Sequence, residues 1–314
     1  MFPIHVAVGV ILNSEGKILL SRRPENAHQG GLWEFPGGKV ERREDLSQAL
    51  RREIREELGI EVITHQPLIS ITHAYPDKCV RLDVHRILRY AGIPLGMEGQ
   101  PIEWASVDEL DNYAMPAADR PICSALKLPD TYLITGDDPI DPTSFLRRLT
   151  VSLESGIQLV QLRAPGLDEN AYCRLAEQAY PLCQQFGAKM LINAPVEYLG
   201  KIEADGIHLT SKQLGMHQER PVSAEKWLAA SCHNKTELEQ AVAIGVDFCV
   251  LSPVLETTSH PGVEPIGWDR FTNLLSEINI PVYALGGMGR EQIWQALSSG
   301  GQGIAAISAL WDKA

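Results

Sequence analysis

From Thr131 onward, short apolar runs alternate eight times with segments of helical or loop character, and this restricts the fold more than any other feature. The runs lie at 132–135, 159–163, 190–193, 206–209, 228–232, 248–252, 282–285 and 303–307. Runs this short and this apolar read as strands buried on both faces, which pair in parallel through crossover connections. Eight of them predict a closed, small TIM (β/α)8 barrel over 131–314, with an open doubly wound sheet as the alternative. A barrel of this kind places function at the carboxyl ends of its strands. Those ends carry Gln161, Arg163, Asn193, His208, Ser231, His233, Ser252, Gly286, Gly287 and Ser308. Gly286-Gly287 after strand seven and Ser308 after strand eight suit a phosphate held by backbone N–H groups.

Residues 1–128 are patterned differently. A β-rich run at 4–12, a turn at Asn13-Ser14-Glu15-Gly16 and a second run at 17–21 precede a short strand at Trp33-Glu34-Phe35. Leu46, Leu50, Ile54 and Leu58 then recur every four residues, so 45–58 reads as an amphipathic helix. Asp45 with Gln48 makes a capping-box start, and Gly59 stands where a helix stops. Glu53, Glu56 and Glu57 share one face of that helix. Three neighbouring carboxylates repel one another, and Mg2+ or Mn2+, hard cations with oxygen ligands, would offset that repulsion. Further strands are expected at 68–73, 80–88 and 102–104, and short helical pieces near Asp108 and at 121–126.

Charge and cysteine usage narrow the functional classes. The formal charge is −12, with 15 basic and 19 acidic residues through Asp130 and 13 and 21 after it. Neither half offers a basic stripe, so no nucleic-acid polymer is expected as a partner. Six scattered cysteines without a Cys-x-x-Cys pair read as buried free thiols in a reducing compartment. Strand-like sequence at the start leaves no secretory leader to expect, and no apolar run has the length of a membrane span. A cytoplasmic protein without membrane contact is the expectation.

The stretch from Gly38 to Ile60 places Glu44, Arg52-Glu53, Glu56-Glu57, Gly59 and Ile60 at the spacing of the Nudix box, matching every defining position. The first domain therefore resembles Nudix hydrolases, which implies an α/β/α sandwich with a mixed sheet. Ala7-Val8-Gly9, Arg22-Arg23, Ala27-His28, Glu34-Phe35-Pro36-Gly37-Gly38-Lys39, Tyr75-Pro76-Asp77 and Glu98-Gly99-Gln100-Pro101 with Glu103-Trp104 look like the MutT-type 8-oxo-dGTP pyrophosphohydrolases. That resemblance implies metal ligation by Glu53, Glu56, Glu57, Glu98 and the Gly37 carbonyl. It also implies a water-activating role for Glu53 or Glu98, and ion pairing of Arg52 to the glutamates. Arg23, His28, Phe35, Lys78 and Asp119 become substrate-binding candidates, with Ile4, Val6, Val8, Tyr75, Val80 and Leu82 walling the base pocket. Two positions depart from the pattern: Asp119 replaces an asparagine and Lys78 an arginine. An ionised aspartate only accepts hydrogen bonds, so pairing with guanine O6 needs another donor or a protonated Asp119.

The second domain resembles the thiamine phosphate synthase/TenI family through Tyr132-Leu133-Ile134-Thr135, Val160-Gln161-Leu162-Arg163, Leu191-Ile192-Asn193, Asp205-Gly206-Ile207-His208-Leu209, Ser231-Cys232-His233, Ser252-Pro253-Val254 and Leu285-Gly286-Gly287. The resemblance implies that Gln161, Arg163, Asn193, Ser231, Gly286, Gly287 and Ser308 line pyrimidine and phosphate pockets, and gives His233 a proton-transfer role. Ala194 and Gln213 stand where the synthases have two Mg2+-binding aspartates, and Pro165 and His260 stand near where they have lysines. The combined expectation is a metal-dependent pyrophosphohydrolase acting on a small nucleotide, 8-oxo-dGTP to 8-oxo-dGMP and pyrophosphate. The alternatives are hydrolysis of thiamine-pathway diphosphates, or a non-catalytic barrel that binds thiazole or thiamine phosphate and regulates the first domain.

Overall fold

The structure is a computed structural model and describes residues 3–26, 28–136, 141–257 and 262–311. Ala27 and His260, singled out in the sequence, lie outside the described residues. The chain divides into two compact units, Met1–Lys127 with Ser276–Asn279, and Leu128–Leu275 with Ile280–Ala314.

The first unit is a mixed α/β fold. Strands β1 (Ile4–Ile11), β4 (Gly37–Lys39), β5 (Glu61–Ala74) and β6 (Cys79–Ala91) form a sheet in the order β4-β1-β6-β5. β1 runs parallel to β6, and the other pairs are antiparallel. A second sheet joins β2 (Ile18–Arg22), β3 (Trp33–Glu34) and β7 (Ile102–Ala105) in the order β3-β2-β7. Alternation along β1 sends Val8 and Val10 into one core with Leu82 and Val84, and Ala7 and Ile11 into another against α1 (Leu46–Leu58). Helix α1 buries Leu50, Ile54 and Leu58, three of the four residues that predict it. It starts at the expected capping box: Gln48 N–H donates to Asp45 Oδ1 at 2.8 Å, and Asp45 N–H donates to Gln48 Oε1 at 2.9 Å. It ends at Gly59 in the left-handed conformation, φ 68°. A short helix α2 (Arg120–Leu126) follows two 3-10 turns, the second spanning Ala117–Asp119.

The second unit is a closed barrel. β8 (Thr131–Ile134), β9 (Leu159–Leu162), β10 (Lys189–Ile192), β11 (Gly206–Leu209), β12 (Trp227–Cys232), β13 (Phe248–Leu251), β14 (Val282–Ala284) and β15 (Gly303–Ala306) pair in parallel all the way round. This is the predicted closed barrel, and the open sheet is set aside. Its interior sets Tyr132, Phe248 and Tyr283, with ring centroids 5.3–5.7 Å apart, among small residues such as Ala229 and Ala305. Full burial of each ring contributes about 1.5–3 kcal/mol. The crossovers are α3 (Pro142–Glu154), α4 (Glu169–Gln185), α5 (Ser211–Leu214), α6 (Lys235–Ala243), α7 (Gly267–Leu275) and α8 (Ile293–Ser298). After β10 only a 3-10 turn, Val196–Gly200, stands in a helix position, which accounts for the small size.

All six cysteines are free thiols. Four are buried, whereas Cys79 and Cys173 are half-buried, so the expectation of uniformly buried thiols is corrected. Among the described residues no helix is long and apolar enough to cross a membrane.

Candidate active site

In the first unit, a cavity of about 230 Å³ is walled by Ile4, Val6, Val8, Tyr75, Val80 and Leu82, all six of the residues expected there. Arg23, His28, Phe35, Lys78 and Asp119 line it too, and Gly37 and Gly38 lie along the same wall. Close approach to backbone requires glycine at 37, and at 38 a side chain would displace the Glu53 carboxylate. A Cβ on Gly37 (φ 151°) would sit 2.2 Å from the Ala7 carbonyl oxygen, and one on Gly38 would sit 2.2 Å from the carboxyl carbon of Glu53. Gly37 N–H donates to Glu57 Oε2 at 3.1 Å, so the glycine strand is tied directly to the acidic helix face.

Arg52 is the hub of that face. Its guanidinium donates to Glu44 at 2.6 and 3.1 Å, to Glu53 at 2.8 Å, to Glu56 at 3.2 Å and to the Lys39 carbonyl at 3.0 Å. These bonds raise the Arg52 pKa and lower that of Glu44. Glu57 is different: burial first, then the charges of Glu34, Glu53 and Glu98, push its carboxyl up to about 8 against the opposing Gly37 N–H. Among the described residues no three His, Cys, Asp or Glu side chains already form a metal cage. Glu53 and Glu56 instead share Arg52, and Glu57 answers a backbone N–H. The donor set still fits a hard divalent cation. Carboxylate oxygens from Glu53, Glu56 and Glu57 gather on one helix face, and these are the donors a hard divalent cation prefers.

Elsewhere on the cavity wall, Asp119 is 6% exposed, and its carboxyl is pushed up to about 8. Burial is the main cause and the Glu34 charge the second, with Arg23 and Arg120 pulling the other way. Glu34 is itself raised by burial although Arg23 ion-pairs with it. Arg23 Nε donates to the His28 carbonyl at 2.8 Å. Tyr75 stacks edge-on against His28 and His73, with Lys78 Nζ 5.9 Å from its centroid. Burial raises the pKa of the Tyr75 hydroxyl, with the Ala118 backbone opposing. Glu34 and Glu44 thus join the expected Tyr75 at the site by contact, although the sequence singled neither out as a site residue. Glu44 stood in the motif spacing, and Glu34 two residues before Pro36-Gly37.

The barrel site splits into two parts. Gly286, Gly287 and Ser308 line a cavity of about 270 Å³ with Ser252, Glu256 and Thr257, whereas Gln161, Arg163, Asn193, Ser231 and His233 are not on its wall. Gln161 Nε2 lies 3.5 Å from the Tyr132 hydroxyl, which sits 3.1 Å from His208 Nδ1; His208 Nε2 is 2.8 Å from Ser231 Oγ. Burial pushes His208 down to about 3, so it is neutral, with both ring nitrogens engaged. Asn193 Nδ2 donates to the His208 carbonyl at 2.8 Å. His233 Nδ1 donates to the Ser252 carbonyl at 2.9 Å, which assigns the proton to Nδ1 and leaves Nε2 as the basic nitrogen of the neutral ring. The Arg163 backbone is pinned to the Thr135 hydroxyl.

The chain joins a mixed-sheet domain bearing an arginine-organised glutamate helix to a small closed parallel barrel. Residues 7–125 match the family described as "NUDIX domain", and residues 131–310 match that described as "Thiamine monophosphate synthase". The chain therefore belongs to the thiamine monophosphate synthase family through its barrel and carries a Nudix-type hydrolase domain before it. The barrel is 34% identical over 183 residues to an Aquifex aeolicus protein of thiamine-phosphate synthase type, covering 58% of this chain and 98% of that protein. The first domain is 37% identical over 127 residues to the 8-oxo-dGTP diphosphatase of Escherichia coli, covering 40% of this chain and 98% of that enzyme. It is also 39% identical over 118 residues to the CTP pyrophosphohydrolase of the same organism, covering 38% of this chain and 87% of that enzyme.

Proposed function

We propose that the first domain hydrolyses the diphosphate linkage of a small heterocyclic substrate, and that Asp119 reads the heterocycle as a neutral carboxyl. One observation carries this reading: a single base-sized cavity has Asp119 on its wall together with Gly37 and Gly38, which abut Glu57 and Glu53. In the proposed site, Glu53, Glu56, Glu57, Glu98 and the Gly37 carbonyl hold Mg2+ or Mn2+. When bound, the cation neutralises the phosphate chain and acidifies water. Arg52 keeps Glu53 and Glu56 oriented, Glu53 or Glu98 takes the proton of the attacking water, and Arg23 and His28 lie along the substrate. A neutral carboxyl donates one hydrogen bond and accepts another, as an asparagine amide does. It therefore pairs with O6 and N7–H of 8-oxoguanine, giving 8-oxo-dGTP hydrolysis to 8-oxo-dGMP and pyrophosphate.

A second reading rests on the same edge chemistry. The 4-amino group and adjacent ring nitrogen of an aminopyrimidine present a donor beside an acceptor, which a neutral Asp119 also matches. Joined to a barrel of the thiamine monophosphate synthase family, the first domain would clear pyrimidine diphosphates of that pathway, while the barrel holds thiazole or thiamine phosphate. The chain taken as a whole supports this reading more strongly than the first, because it gives both domains related ligands. The test is to assay the full chain with Mg2+ against 8-oxo-dGTP, dGTP, CTP, ADP-ribose and a 4-aminopyrimidine diphosphate. A kcat/KM for the aminopyrimidine at least tenfold above the others selects the second reading, and the reverse order with 8-oxo-dGTP selects the first. Comparable hydrolysis of ADP-ribose would overturn both.

A further inference from the structure

Glu98 sits on an exposed connection between β6 and β7, far in sequence from the helix whose carboxylates it would join. Two backbone bonds lay this connection over the C-terminal end of α1, from Leu95 N–H to the Leu58 carbonyl at 3.0 Å and from Met97 N–H to the Glu57 carbonyl at 2.9 Å. These answer helix carbonyls that have no partner within the helix. Neither bond touches Glu98. Gln100 does, and its amide is used at both ends. Its Nε2 donates to the Glu57 carbonyl at 3.0 Å, and its Oε1 accepts the Glu98 N–H at 2.9 Å. One side chain thus ties the backbones of the two glutamates, 41 positions apart, that come from different elements.

We propose that Gln100 is a positioning residue that, beside those two backbone bonds, fixes Glu98 relative to Glu57, so that the two carboxylates act as one cation-binding unit. The inference rests on the cation site proposed above. An amide is required because the two contacts need opposite polarity: the Glu57 carbonyl takes a donor and the Glu98 N–H takes an acceptor. Glutamate at 100 keeps the second contact and turns the first into two facing oxygens. Alanine removes both.

The test uses the full chain and reads Mn2+ binding by electron paramagnetic resonance titration, beside kcat, KM and the thermal midpoint without cation. Gln100→Ala and Gln100→Glu are each expected to weaken Mn2+ binding about tenfold or more, the usual cost of losing a partner that orients a ligand. We expect kcat to fall with it, while KM and the cation-free midpoint stay close to wild type. Mn2+ affinity within twofold of wild type in Gln100→Ala overturns the proposal. So does a matching collapse of the midpoint in both variants, which makes the role structural. Glu57→Gln separates the two levels of inference. If it leaves Mn2+ binding intact, the cation site itself is misplaced; if it abolishes binding while Gln100→Ala does not, only the positioning role fails.

Discussion

Replacing Asp119 by asparagine keeps the size of the side chain and its donor–acceptor pair but removes its titration. In the folded protein the carboxyl is held at about 8 against an ordinary 3.8, by burial first and by the Glu34 charge second. A raised carboxyl contributes stability that is complete below its unfolded pKa and is lost as pH climbs through the folded one. At about 1.4 kcal/mol per pH decade, the gap amounts to an upper bound on the order of 5 kcal/mol between pH 4 and pH 8. Wild type should therefore lose thermal stability relative to Asp119→Asn across that interval, then run parallel to it above pH 8. Catalysis should follow. Above pH 8 the wild-type kcat/KM for the preferred heterocycle should fall about tenfold per pH decade relative to the asparagine variant, as Asp119 becomes an acceptor only. Glu57, also raised to about 8, titrates in both proteins, so the comparison cancels its contribution. The assay is kcat/KM from pH 6 to 9.5 for both proteins, with melting curves at the same points. Superimposable profiles would refute the idea that a neutral Asp119 reads the base.

Glu53→Gln and Glu57→Gln should each lower turnover about 100-fold or more while melting near wild type, and chelation with EDTA should abolish turnover. Near-normal rates in either variant would remove that carboxylate from the chemistry. Gly38→Ala puts a methyl group on the Glu53 carboxyl, and should cut kcat at least tenfold with little change in secondary structure by circular dichroism. Asp45→Ala should cost about 1 kcal/mol through loss of the helix cap, read as a lower urea midpoint for the first domain. The full chain, given the aminopyrimidine diphosphate, thiazole phosphate and Mg2+, should form no thiamine phosphate at a catalytic rate; its steady accumulation would show a competent synthase.

The sequence made the barrel legible because strands buried on both faces are continuous apolar runs, and all eight appear within a residue or two of their expected bounds. The hairpin of β5 and β6 was underestimated. Register shifts at Val62/Thr64, Thr64/His65 and Pro67/Ile69 break the period, and polar residues such as Gln66 and Arg89 interrupt the apolar pattern. Strand β4 was hidden because Gly37-Gly38 carries no strand propensity, and its pairing with β1 needs Gly37, where a Cβ would meet the Ala7 carbonyl oxygen. Arg52 as organiser could be anticipated from the spacing of the glutamates. A protonated Asp119 was one of two options the sequence offered, but the rise of its carboxyl was not legible there, since it follows from burial by distant elements and from Glu34, 85 positions away. Gln100 was no more visible, because one of its partners is a backbone carbonyl.

The departures of the two domains from their families concern the same physical quantity, the charge available near a phosphate. In the barrel, Gln213 Nε2 donates to the Ala194 carbonyl at 2.9 Å, and its Oε1 accepts the Thr210 N–H at 2.9 Å. Where two carboxylates would hold a cation against a departing diphosphate, this chain has a closed neutral hydrogen-bond link whose partners are already satisfied. A diphosphate leaves with growing negative charge, and fixed counter-charge at that point is commonly the largest contribution to such catalysis. Glu256 lies on the wall of the cavity lined by Gly286, Gly287 and Ser308, and adds negative rather than positive charge beside the proposed phosphate position. In the first domain the opposite holds: carboxylates gather beside Arg52, and burial with the neighbouring charges raises the Glu57 carboxyl, which the proposed cation would offset. Diphosphate cleavage in this protein is therefore expected from the glutamate helix of the first domain, and the barrel is expected to recognise a phosphate without breaking one.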